Sequence, residues 1–138
     1  LNHLSVKKQC DYKMQKRRYL SILLLVVIIP LGFLTKFYHG PAESWTHHYA
    51  GDIFYPMFWM YLVLFFFPRL SVLCVGIAVF VFSTIIELTQ LLSWPVLEYF
   101  RQSFLGRTVF GVSFSWTDIA YYALGCVLGW CLWKILNT

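Results

Sequence analysis

Charge is what this sequence has least of. Of its 138 residues only 12% are Asp, Glu, Lys or Arg, about half the roughly 25% typical of a soluble domain. So few charges cannot coat a surface that meets water on every side, and the membrane class comes first. Cysteines are few and badly placed for chemistry. Cys10, Cys74, Cys126 and Cys131 include no pair at metal-ligand spacing, so they read as small buried hydrophobes. No G-x-S-x-G, H-E-x-x-H or phosphate-binding glycine loop occurs, which removes the common hydrolase and nucleotide-binding signatures. Apolar residues do not alternate with polar ones, which argues against a membrane β-barrel. No repeat, low-complexity stretch or domain linker is visible.

The net charge is +5, but it is concentrated at one end. Lys7, Lys8, Lys13, Lys16, Arg17 and Arg18 all precede the first apolar run. No aromatic-interleaved basic groove follows, so the pattern is an orienting membrane flank and not a nucleic-acid surface.

What is abundant is apolar: 59% of residues are hydrophobic and 20% aromatic. Four runs stand out: Tyr19–Thr35, Ile53–Phe67, Leu70–Leu92 interrupted only by Glu87, and Ile119–Leu136. A helix needs roughly 20 residues to cross a bilayer core, and open backbone cannot sit in lipid. The expected fold is an all-α membrane protein with four transmembrane helices over about 19–36, 50–67, 70–92 and 117–136. A basic cytoplasmic tail, residues 1–18, precedes them. Tyr19–Thr35 has the basic flank of a signal peptide, but no small-x-small cleavage site follows it, so it is read as a retained helix. Pro68 and Arg69 leave room for only a tight turn, making the second and third helices antiparallel neighbours. Placing both termini in the cytoplasm puts eight Lys and Arg inside and three outside, as the positive-inside rule asks. The Ser93–Ser115 connection is aromatic with scattered charge and reads as an interfacial or re-entrant segment. The expected location is the bacterial cytoplasmic (inner) membrane, crossed several times.

Glu87 poses the central problem, because a charge in lipid must face the bundle and find a partner. Ser83, Glu87 and Gln90 share one helix face, and Asp118, Tyr122, Gly125 and Gly129 form another stripe. In the four-helix topology Lys36, Asp52, Glu87, Gln90, Arg101, Arg107 and Asp118 converge at one level near the outer face. Glu87 then either pairs with Lys36, Arg101 or Arg107, or keeps a proton. These seven residues are the candidate ligand-binding site, with no catalytic residue and no cofactor assigned. Structural roles compete with that reading. Glu87 can serve as buried glue, and Ser115 to Asp118 fits a capping box. "GCVLG", Gly125 to Gly129, is a close-packing motif. His39, His47 and His48 lie in the first outer connection without a clearly spaced third ligand, so no metal site is assigned. Trp45, Tyr49, Trp94 and Trp116 read as interface anchors.

At "STIIELTQLL", "LGRTVFG" and "FSWTDIAYYALGCVLG" the chain resembles a small uncharacterised bacterial membrane-protein family. A buried Glu-x-x-Gln, an Arg-bearing segment and an Asp-led last helix are its pattern. Lys36 and "YAGD", Tyr49 to Asp52, fit it as well. The chain is more distantly similar to the VanZ-like family linked to glycopeptide (teicoplanin) resistance, through Glu87, Gln90, an arginine such as Arg101 or Arg107, and Asp118. VanZ-like proteins often carry Asn one turn after that Asp, where this chain has Tyr122. The resemblance implies a fold and a polar face but no reaction. The leading expectation is a non-enzymatic membrane protein that binds a membrane lipid or lipid-linked envelope component, with homo-oligomers open. The rivals are a membrane-embedded enzyme on lipid head groups, with Glu87 or Asp118 as general base, a small proton-linked transporter, and a subunit of a larger assembly.

Overall fold

The computed structural model describes residues 2–89, 99, 102–103 and 116–137. It is all-helical among these residues. Four main helices are present: α1 (Asn2–Phe37), α2 (Gly51–Phe66), α3 (Val72–Thr89) and α4 (Trp116–Leu136). Three of them, α1, α3 and α4, are long and apolar enough to cross a membrane, as expected of a membrane protein. The Ser93–Ser115 segment, Gln90 and the N-cap expected at Ser115 lie outside the described residues, apart from isolated positions.

One helix of 36 residues, α1, runs through both the basic N-terminal residues and the first apolar run. Lys, Arg, Gln and Leu are good helix formers, so nothing in residues 2–18 stops the helix that the apolar half begins. Pro30 lies inside α1 and removes one backbone donor without ending it. Only a narrow stripe of α1, Ser21, Leu24 and Ile28, is buried.

α2 is the shortest of the four at 16 residues, about 24 Å of rise, yet it forms the centre. It packs against α1, α3 and α4, and Met60, Tyr61 and Leu64 are completely buried. Its N-terminal end does not begin from a coil. A short helical turn, Glu43–Trp45, leads into a π-helical turn, Thr46–Ala50, and the junction residues Trp45, Ala50 and Gly51 keep right-handed helical angles. Helical backbone therefore continues from Glu43 to Phe66.

The turn after α2 is as tight as the sequence suggests. Phe67 donates to the Val63 carbonyl and Leu70 to the Phe67 carbonyl, and α3 starts at Val72 packed on α2. The buried residues of α3, from Val72 and Val75 through Val79 and Ser83 to Glu87, follow a single helical stripe. α4 closes the bundle against α2 and α3. Its glycines permit this contact. A Cβ at Gly125 would overlap the Ile53 carbonyl oxygen and Pro56, and one at Gly129 would press on Met60 and Met57. The Tyr61 hydroxyl donates to the Gly129 carbonyl at 3.1 Å, locking the approach that the small residues allow.

Candidate functional site

The end of the bundle near the α2–α3 turn is held by a cation. Arg17 donates to the Leu70 carbonyl at 2.9 Å, and its guanidinium lies 5.5 Å from the Trp133 ring centroid. Trp133 is buried and stacks on Tyr61. Arg69 from the turn reaches Met14 on α1. Here charge is anchored by a carbonyl and an aromatic face.

The opposite end gathers acids. Asp52 sits in the first turn of α2, Glu87 near the last turn of α3 and Asp118 in the first turn of α4. Because α3 runs antiparallel to both neighbours, these three positions meet. Asp52 is in electrostatic contact with Glu87 and lies within hydrogen-bonding reach of Asp118. Tyr122, one turn along α4, feels all three carboxyl groups and donates its hydroxyl to Glu87 Oε2 at 3.1 Å. Tyr55, one turn along α2, also faces the Glu87 charge. Glu87 is 1% exposed, and Asp52 and Asp118 are half-buried above it.

Two further features surround the acids. Ser83, one turn below Glu87 on the same buried face, has a hydroxyl with no hydrogen-bond partner, and Asp52 Oδ2 is likewise buried without one. Pro56 lies inside α2 and has no N–H, so the Asp52 carbonyl loses its usual partner one turn on. The site thus offers oxygen acceptors from three helices and a carbonyl in a place that water reaches poorly. Such acceptors suit a group that brings hydrogen or positive charge.

Of the seven residues expected to converge, the structure brings together Asp52, Glu87 and Asp118. Lys36 lies exposed in the last turn of α1. Gln90, Arg101 and Arg107 lie outside the described residues. Sequence reasoning missed two members. Tyr122 was placed on the Asp118 stripe, but its hydroxyl as the donor to Glu87 follows only from the way α3 meets α4. Tyr55 stands three residues after Asp52 and Tyr122 four after Asp118, each one helical turn on and on the same face as its acid, and that pairing was the available signal.

The expected aromatic anchors also form a group. Trp45 donates its indole N–H to the Tyr121 hydroxyl at 3.1 Å, and Tyr49 stacks on Tyr121 with ring centroids 4.8 Å apart. They tie the helical lead-in of α2 to the start of α4. Trp116 is exposed, and Trp94 lies outside the described residues.

An apolar helical bundle with acids gathered at one end fits a membrane protein with a polar site. Residues 41–126 match the family described as protein of unknown function (DUF2809), and the chain belongs to that family. The match includes Asp52, Glu87, Tyr122 and Asp118 and begins after α1. No solved structure matches the chain.

Proposed function

We propose that the chain is a four-span membrane protein whose acid cluster binds the ammonium group of a lipid head group or lipid-linked envelope component. The observation that carries this reading is the meeting of Asp52, Glu87 and Asp118 beside Tyr122. Three carboxyl groups confined together repel one another, and a cation relieves that repulsion. An ammonium has three donors and no acceptor, which suits separate acids on separate helices. Arg101 and Arg107, from the aromatic segment after α3, are proposed to hold the phosphate of the same head group, as arginine commonly does. Lys36 is proposed to assist them from the last turn of α1.

The fourth span in this proposal is α2 with its helical lead-in. Counted from Glu43 to Phe66, the continuous helix rises roughly 36 Å, enough to cross a bilayer core. The charge asymmetry supports both termini on the cytoplasmic side. A bacterial inner-membrane location and kinship with VanZ-like proteins belong to the same proposal.

The test is thermal unfolding of the purified full chain in detergent with added lipids. Phosphatidylethanolamine is expected to raise the midpoint by several degrees. Phosphatidylglycerol and N-acylated phosphatidylethanolamine, which lack the ammonium, are expected to leave it unchanged, and Asp52→Asn is expected to abolish the shift. Equal shifts with all three lipids would overturn the reading.

A further inference from the structure

A second cluster of donor atoms lies before α2, in the connection that follows α1. The chain leaves α1 at Phe37 and reverses within a few residues. The Tyr38 ring folds back over Gly40, where any Cβ would strike its hydroxyl, and that hydroxyl donates to the Pro41 carbonyl at 3.0 Å. Ala42 then adopts a left-handed conformation, φ 60°. That geometry costs an L-residue roughly 1–2 kcal/mol, so the surrounding contacts must hold it.

The reversal lays His39 against the helical turn that follows. His39 Nδ1 donates to Glu43 Oε1 at 2.9 Å, and His47 Nε2 lies 4.0 Å from the same oxygen. One ligand atom from each of His39, Glu43 and His47 falls within 4.8 Å of the others. His47 Nε2 also donates to the Tyr38 carbonyl at 2.7 Å, which puts a fourth potential ligand atom at the edge of the group. A tetrahedral ion with bonds of about 2.1 Å needs its ligands about 3.4 Å apart. The 2.9 Å and 4.0 Å separations bracket that value, and the two histidine nitrogens, within 4.8 Å of each other, need to draw together by at most about 1.4 Å. All three side chains are partly or largely open to solvent, so an ion has a path in.

We propose that His39, Glu43 and His47 form a binding site for a divalent ion of the zinc class. Two imidazoles and one carboxylate are a donor set that Zn²⁺ prefers over Mg²⁺ or Ca²⁺, which take oxygen ligands. On binding, His39 Nδ1 and His47 Nε2 give up their protons or shift them to the other ring nitrogen. The two hydrogen bonds seen here then become metal bonds. Three protein ligands leave a fourth position for the Tyr38 carbonyl or water. The ion would staple the end of α1 to the helical lead-in of α2. His47 lies in the π-helical turn, and such turns are frequent at functional sites. Glu43 and His47 fall within the family match, whereas His39 precedes it. The site shares no residue with the acid cluster and stands or falls separately from it.

The experiment uses the full chain in detergent, with any polyhistidine tag removed. Zn²⁺ is titrated against a chromophoric chelator, and Co²⁺ supplies a visible spectrum that reports tetrahedral nitrogen and oxygen ligands. One ion per chain is expected. His39→Ala, His47→Ala and Glu43→Gln should each weaken binding more than about tenfold, at least what loss of a supporting outer contact costs. His3→Ala and Asp52→Asn should bind as the parent does, and circular dichroism should show all five variants equally helical. A parent chain that binds no ion, binding that survives both His39→Ala and Glu43→Gln, or binding that Asp52→Asn removes would each overturn the site.

Discussion

The two ends of the bundle treat charge in opposite ways. Near the α2–α3 turn the Arg17 guanidinium meets a carbonyl oxygen and the face of Trp133. At the far end three acids face one another, with Tyr122 donating to Glu87. The first arrangement gives the guanidinium a carbonyl and an aromatic face, although Arg17 Nε is buried without a hydrogen-bond partner. The second brings carboxyl groups from three helices close together, with Asp52 within hydrogen-bonding reach of Asp118. That contrast is why the acid end, and not the cation end, is the one proposed to meet a ligand.

The contrast can be broken from either side. Trp133→Ala, at a fully buried position, should cost about 3–5 kcal/mol of stability, measured by denaturation in detergent. The lipid-dependent shift at the acid end should persist in whatever fraction stays folded. Gly125→Leu should cost about 3 kcal/mol or more by overpacking, because its side chain would enter the Ile53 backbone. It also wedges α4 from α2 just below Asp52, so the lipid response should vanish even where helicity survives. Arg17→Ala should cost about 1.5–3 kcal/mol, the usual range for a hydrogen bond made by a charged group. Asp52→Asn should do the reverse, stabilising the ligand-free chain by about 1–3 kcal/mol through relief of repulsion. Equal destabilisation by Arg17→Ala and Asp52→Asn would erase the distinction between the ends. Tyr122→Phe should have the smallest effect, about 0.6 kcal/mol, the average for interhelical hydrogen bonds in a membrane bundle.

Much of this arrangement was legible in the sequence because its causes are local or periodic. The position of Glu87 in an apolar run required a buried face, and the helical period placed Ser83 beside it. Gly125 and Gly129, four residues apart, announced a close helix contact, which the structure places against α2. Pro68 and Arg69 left no room for anything but a turn. Other features depend on how segments meet. That the helix runs unbroken through basic residues 7–18 was not read from the sequence, because hydropathy changes there while helix propensity does not. Glu43 escaped notice as a companion to His39 because Ala42 carries no sign of the left-handed backbone that brings them together. The second helix looked like the weakest span by length, although its contacts with all three neighbours make it the centre of the bundle. Contacts of that kind are decided by packing, which no single window of sequence contains.

The 36 residues of α1 have a mechanical implication. If lipid embraces the apolar half, roughly 24 Å of basic rod stands clear of it on one side. A rod transmits tilt, whereas a flexible leader would absorb it. Whatever seizes that protruding stalk, whether anionic membrane surface or another protein, gains leverage on the packing of Leu24 and Ile28 against the rest of the bundle.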